Sequence, residues 1–370
     1  MAGRIVLFGA SGFTGALTAR ELVARGIAPV LAGRSRDRLK RLRDELGRDD
    51  LEIATADAAD PPSVRRLVKR GDVLITTVGP FHRYGRAALE AAIGAPCTYL
   101  DSTGEPPFIR AVFEEYGPRA QAAGAALMTA MGYDYVPGNL AAALAVEEAG
   151  EDAARVDVGY FVDGPPSPAA MSGGTRASLV GIIGEPSFAF RGGRVGSERA
   201  ARRVRTFRTS KGPRKAVSVG GSEHYALPRS FPQLEQVNVY LGWFAALSRP
   251  MQMVSALASL GRLLPGTKRV TQALSERLHA SGQGPSDAVR ARVGSRIVAI
   301  AYDRTGRELA CVELAGDNAY DFTARMLAIA GARAQEGAVS GSGALGPVEA
   351  YGLQALEEMA SEAGVRRVGR

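Results

Sequence analysis

The chain of 370 residues has two cysteines and five lysines, and each scarcity removes a class of answer. Cys97 and Cys311 lie far apart in apolar, strand-like runs, so no disulfide framework is expected and both thiols read as buried in a reducing cytoplasm. The formal net charge is +8, yet the base is almost all arginine in an alanine- and glycine-rich background, a skew of the kind a GC-rich genome produces. No aromatic-interleaved basic platform, zinc spacing or nucleic-acid motif accompanies it, so neither a nucleic-acid partner nor a metal site is expected. Long hydrophobic runs are missing too: the most apolar window, Tyr240 to Leu264, is broken by Arg249, Pro250 and Arg262, a poor transmembrane candidate. The N-terminus is strand-like rather than a charged stretch before a hydrophobic one, so no signal peptide is expected and the cytoplasm is the expected location. No internal repeat is visible. Hydrophobic residues at 46% and charged residues at 23% fit a globular protein, and the length allows two domains with separate cores.

What is present begins at once. An apolar strand, Arg4 to Phe8, runs into Gly9-Ala10-Ser11-Gly12-Phe13-Thr14-Gly15 and then a segment with Phe13, Leu17, Leu22 and Val23 on one helical face, ending at Gly26. A glycine turn between strand and helix cradles a pyrophosphate. Gly9 permits the tight turn, Gly12 admits the phosphates to backbone N–H groups, and Gly15 lets the helix pack close to the strand, with Ser11, Phe13 and Thr14 completing the loop. The second strand, Pro29 to Ala32, ends in Gly33-Arg34-Ser35-Arg36, where an NAD-specific protein carries an acid for the ribose 2′-hydroxyl. Arg34 and Ser35, with Arg36 or Arg38 nearby, suit a 2′-phosphate instead, which favours NADP(H). The alternative is that these arginines only open the solvated helix Arg36 to Leu46.

Six short apolar runs alternate with helical segments through the first third: 5–8, 30–32, 51–55, 73–78, 98–100 and 126–131. That pattern predicts an α/β fold with a doubly wound parallel sheet over residues 1–150. Residues 151–317 read as an α+β domain with a mainly antiparallel sheet, and the helices of 318–370, expected at Ala319 to Ala334 and Val348 to Ala363, as returning to the first domain. Ligands collect beyond the carboxyl ends of such parallel strands. Those ends carry Asp57, then Val78-Gly79-Pro80-Phe81, then Asp101-Ser102-Thr103-Gly104-Glu105, then Tyr133 and Asp134. Backbone groups at Val78 and Gly79 are placed to fix a nicotinamide carboxamide, with Phe81 or Tyr84 against the ring and Ser102 and Gly104 beside its ribose. Ser102 and Glu105 also fit a helix capping box; Asp134 reads either as a plain N-cap for a helix from Gly138 to Glu147 or, with Tyr133, as a catalytic-site residue in contact with substrate. Ser172-Gly173-Gly174-Thr175 precedes a helical run whose free N–H groups suit an oxyanion, or is only a helix entry. Between Arg191 and Lys215 stand ten basic residues and one acid, Glu198, read either as a solvated hairpin or as a docking patch for an acidic carrier protein. Tyr240 to Leu264 reads as helical core or as an acyl-chain slot. No tyrosine has a lysine four residues on, which argues against a short-chain dehydrogenase mechanism.

The segments GASGFTG at 9–15, AGRS at 32–35, TTVGPFHRYG at 76–85, YLDSTGE at 99–105, GYDYVP at 132–137, SGGT at 172–175 and GPSD at 284–287 together resemble the saccharopine dehydrogenase-like oxidoreductases, which include bacterial trans-acting enoyl reductases. Tyr133 departs from the phenylalanine expected in that family's segment. The resemblance implies a Rossmann domain holding NADP(H), completed by C-terminal helices, with a central α+β domain facing the nicotinamide. It does not fix the substrate; the leading expectation is hydride transfer to an electron-poor carbon, first the C=C of an enoyl or polyketide thioester, with Tyr84 or Tyr133 as proton donor and Ser172 to Thr175 holding the thioester oxygen. The rivals are reduction of an imine, with Arg176 or Arg229 binding carboxylates, and an NADP sensor without turnover. A homodimer is compatible with the β-rich central domain.

Overall fold

The structure, a computed structural model, describes residues 3–164, 186–242, 252 and 284–369. The chain divides into two compact units. The first comprises Met1–Thr103, Phe108–Asp134 and Ala319–Ala363; the second comprises Gly104–Pro107, Tyr135–Asn318 and Gly364–Arg370.

The first unit is built on a parallel sheet of β1 (Ile5–Phe8), β2 (Val30–Gly33), β3 (Ile53–Thr55), β4 (Val73–Thr76), β5 (Thr98–Asp101), β6 (Ala126–Met128) and β15 (Gly343–Ala344), in the order β15-β6-β5-β4-β1-β2-β3. β1, β2 and β4 are buried throughout because a parallel sheet is covered on both faces, which is why they read as unbroken apolar runs. Part of one cover comes from the helix Ala319–Gln335, which packs beside the helix Phe13–Ala24 and against β1, β4 and β5. Gly331 permits that approach, since a Cβ there would lie 2.7 Å from the Ile75 Cδ1. The helix Phe13–Ala24 stops as its sequence predicts: Gly26 takes φ +76°, its N–H reaches the Val23 carbonyl, and the Ile27 N–H reaches Leu22. The chain order reverses between β1 and β4, and that reversal is where ligands bind in such sheets.

Two expectations need correction. The boundary lies at Asp134 rather than near residue 150, because the helix Val136–Ala149 belongs to the second unit. Residues 136–146 of that helix are buried on every side, and helices of that kind sit inside a core. The expected helix from Val348 to Ala363 is two, Pro347–Tyr351 and Leu353–Glu362, parted by Gly352 at φ +78°.

The second unit holds a mixed, mostly antiparallel sheet of β7 (Arg155–Asp163), β8 (Pro186–Arg191), β9 (Arg194–Arg199), β10 (Val204–Thr209), β11 (Gly212–Val219), β12 (Gln236–Leu241), β13 (Gly294–Tyr302), β14 (Glu308–Gly316) and β16 (Val365–Arg367). Its order is β10-β11-β12-β7-β13-β14-β16, with β8 pairing β12 and β9. The helix Val136–Ala149 covers β7, β13 and β14. On the other face Phe207 packs edge-on against Phe161 and Tyr240. Among the described residues no helix is long and apolar enough to cross a membrane.

Candidate functional site

At the reversal point β1 and β4 end side by side. The Thr77 N–H donates to the Phe8 carbonyl at 2.9 Å and its hydroxyl to the Gly9 carbonyl at 3.2 Å. Gly9 turns the chain at φ +91°, with its N–H on the Ala32 carbonyl. A Cβ on Gly15 would sit 2.2 Å from the Gly9 oxygen, so only glycine fits where helix meets turn. Gly12 differs: it is exposed, its imaginary Cβ comes only within 3.2 Å of that same oxygen, and it caps the helix without any side-chain hydrogen bond. The first-turn N–H groups of a helix have no partners within it, and an uncapped, exposed start leaves them for an anion. Ser11 and Thr14 flank this opening, half-buried, and Phe13 stacks edge-on with Tyr320 at 5.3 Å.

At the end of β2, Arg34 is exposed and makes no hydrogen bond or ion pair among the described residues. Ser35 caps the helix Arg36–Glu45 by accepting the Arg38 N–H. The Arg38 guanidinium turns back to the Ser11 carbonyl at 2.7 Å, so it ties the glycine loop to the second helix, while Arg34 and the exposed Arg36 stay unpaired among the described residues. Asp57, beyond β3, is exposed and accepts the Ala59 N–H at 2.9 Å within its own turn.

Beyond β4, Val78, Gly79 and Pro80 are half-buried and lead through a cis Gly79-Pro80 bond into the helix Phe81–Gly94. Phe81 lies in the core, tilted against Phe108 at 5.6 Å, and does not stand as an open wall. Tyr84 is half-buried with the Arg83 guanidinium carbon 5.0 Å above its ring. Beyond β5, Ser102 and Gly104 are half-buried. The helix there starts at Pro106 rather than directly after Ser102, and the Thr103 N–H goes to the Asp101 Oδ1 at 2.9 Å. Asp101 itself is fully buried, and the sequence placed it at a strand end without assigning it a role. It also accepts the Ala130 N–H at 2.9 Å and the Thr129 hydroxyl at 2.8 Å. Burial pushes its carboxyl up to about 6 against the pull of those donors. Its position at the end of a strand facing another strand's end was the available signal.

Beyond β6, the two adjacent candidates part company. Tyr133 is 2% exposed, with its ring packed edge-on to Phe322 at 6.3 Å. Asp134 keeps part of its surface exposed and makes no hydrogen bond among the described residues. It does not cap the following helix, whose N-cap is Tyr135. Enclosure by the protein pushes its carboxyl up to about 7.

Ser172, Thr175 and Arg176 lie outside the described residues, as does most of the Tyr240 to Leu264 window. The basic stretch from Arg191 to Lys215 is described, and it is not uniformly solvated. Arg205 pairs with Asp157, Arg203 with Glu198, and Arg214 with Asp163 at 3.0 Å. Burial works against ionisation of Asp163, but Arg296 and Lys211 hold its carboxyl below the usual range. Arg194, Arg208 and Lys215 remain exposed and without partners among the described residues.

Residues 5–128 match the family described as the saccharopine dehydrogenase NADP binding domain. A Mycobacterium tuberculosis protein provisionally named a trans-acting enoyl reductase is 39% identical over 189 residues, 50% of this chain and 45% of that protein. A trans-acting enoyl reductase of Mycobacterium ulcerans is 40% identical over 140 residues, 37% of this chain and 34% of that one. The chain thus matches less than half the length of these relatives. The apo saccharopine dehydrogenase (L-Glu forming) of Saccharomyces cerevisiae shares the fold at a TM-score of 0.60, with 13% identity over 99% of this chain and 100% of that one. The uncapped glycine cradle and the unpaired Arg34 fit a phosphorylated dinucleotide, residues 5–128 are similar to the saccharopine dehydrogenase NADP-binding domain, and NADP(H) is the cofactor.

Proposed function

We propose that the protein is an NADPH-dependent reductase of the C=C bond of enoyl thioesters, with Asp134 as the acid that protonates the α-carbon. The observation that carries this reading is Asp134: a partly exposed carboxyl beyond the end of β6, free of hydrogen bonds among the described residues, held near 7 by enclosure. The names of the curated relatives support the choice of substrate class.

Bound NADPH supplies a hydride to the β-carbon. The chain's own residues do the rest. Gly9, Gly12 and Gly15 shape the pyrophosphate cradle with Ser11, Phe13 and Thr14, and Arg34 with Ser35 meets the 2′-phosphate. Val78, Gly79 and Pro80, with Ser102 and Gly104, border the nicotinamide end. The substrate becomes an enolate, and Asp134 in its protonated form transfers its proton to the α-carbon, then recovers one from water at its exposed edge. Asp134 replaces Tyr133 in this role because Tyr133 is packed into the core, and Tyr84 keeps a place beside the substrate. The thioester arrives on an acidic carrier protein, for which Arg194, Arg208 and Lys215 are the available contacts.

The test uses NADPH deuterated at the transferable position with a panel of enoyl thioesters, cyclic imines and ketones, read by mass spectrometry. Deuterium on the β-carbon of an enoyl thioester is the expected result. Deuterium on an imine carbon would replace this reading with the saccharopine-type reaction, and tight binding without transfer would replace it with a sensor. With an acid titrating near 7, kcat falls as pH rises through that value, and Asp134→Asn removes the descent together with on the order of a hundredfold in kcat.

A further inference from the structure

We infer that Thr323 and Asp101 are positioning residues that together aim the Asp134 carboxyl, Thr323 acting through the Tyr133 backbone. The inference rests on the assignment of Asp134 as the acid. The segment from Thr129 to Asp134 follows β6 with only an isolated bridge at Gly132, so most of its backbone groups need holding from elsewhere. Asp101 holds the first half. Its carboxylate takes the Ala130 N–H and the Thr129 hydroxyl, and its main-chain carbonyl takes the Met131 N–H at 2.7 Å. Ala130 is kept at φ +60°, a conformation a side chain resists unless its surroundings fix it.

Thr323 holds the second half, from the helix Ala319–Gln335. Its hydroxyl donates to the Ala319 carbonyl at 2.7 Å, which spends its one proton and turns its lone pairs outward. The Tyr133 N–H donates to that oxygen at 2.9 Å. Gly132 makes the approach possible: a Cβ there would lie 2.8 Å from the Thr323 Cγ2 and 2.9 Å from its Oγ1. Asp134 is the next residue, and its carboxyl has no hydrogen bond of its own among the described residues. Its direction is therefore inherited from the clamp before it.

Thr323→Val keeps the shape and removes the acceptor; Thr323→Ser keeps the acceptor. Three readouts apply: NADPH affinity by fluorescence, kcat against KM with an enoyl thioester, and the pH titration of the Asp134 carboxyl by carbon-13 NMR. In Thr323→Val, NADPH affinity stays within about twofold while kcat falls about tenfold or more. The Asp134 titration midpoint moves by about half a unit or more, and Thr323→Ser restores it. If Thr323→Val does not fold, Thr323→Ala serves, because it leaves room for water to meet the Tyr133 N–H. An unmoved carboxyl titration in a folded variant lacking the hydroxyl would overturn the inference. A moved titration in a protein that reduces no enoyl thioester would keep the clamp and remove the reductase reading.

Discussion

Gly12 and Gly15 look alike in the sequence and tolerate a methyl group very differently. Gly15→Ala drives a Cβ into backbone atoms at 2.2 and 2.9 Å, so a loss of about 1–3 kcal/mol of stability is expected in a urea melt. Gly12→Ala has only a 3.2 Å contact to relieve, so the melt stays close to wild type while NADPH affinity, read by fluorescence titration, falls on the order of tenfold. Arg34→Ala should weaken NADPH by roughly 10- to 100-fold, the worth of a charge-assisted hydrogen bond, and leave NADH unchanged. Asp134 adds a pH dependence. Folding raises its carboxyl from 3.8 to about 7, so the folded state holds the proton more tightly, and stability conferred by protonation is complete below the lower value and lost as pH rises toward the upper one. Asp134→Asn should therefore flatten the fall of melting temperature across that window, with Asp101 still contributing a slope of the same sign as far as about 6. At this scale the glycines were legible because their spacing is local. Thr323 was not, since nothing in a helix 190 residues away marks one hydroxyl as the partner of Tyr133.

The hairpin of β10 and β11 shows what alternation does to a basic sequence. Arg205 lies opposite Ala216 and Phe207 opposite Arg214, and these turn inward, where Arg205 meets Asp157 and Arg214 meets Asp163. Thr206 lies opposite Lys215 and Arg208 opposite Pro213, on the outward face. The run of charge was visible in the sequence, but the neutralising carboxylates belong to β7, so the division into buried pairs and free cations was not. Asp157 is 1% exposed, and Asp157→Ala should cost about 3–5 kcal/mol in chemical denaturation because it strands the Arg205 charge. Arg208→Ala should cost less than about 0.5 kcal/mol by the same measurement. β15 illustrates the opposite limit. Two residues inside a glycine-rich stretch carry no periodic signal, and only the open edge of β6 makes them a strand.

The first unit is made of chain segments separated by most of the second unit, and its sheet depends on residues 319–363. The α/β alternation of the first third was enough to predict its parallel order, while the place where the chain leaves it was obscured by the apolar helix Val136–Ala149. Deleting residues from Ala319 onward would strip β15 from the sheet edge and uncover Ile75 on β4, and loss of NADPH binding in a fluorescence titration is the expected outcome. The same arrangement sets an order of events on the ribosome. A nascent chain has made six of the seven strands of its dinucleotide-binding sheet by Met128, yet the helix and strand that complete it lie beyond Asn318. At a synthesis pace of about 5–20 residues per second, that sheet waits roughly 10–40 s with one edge and part of one face open. The sheet begun first stays incomplete while most of the second unit is made, and a chaperone that shields apolar strand edges has that interval in which to act.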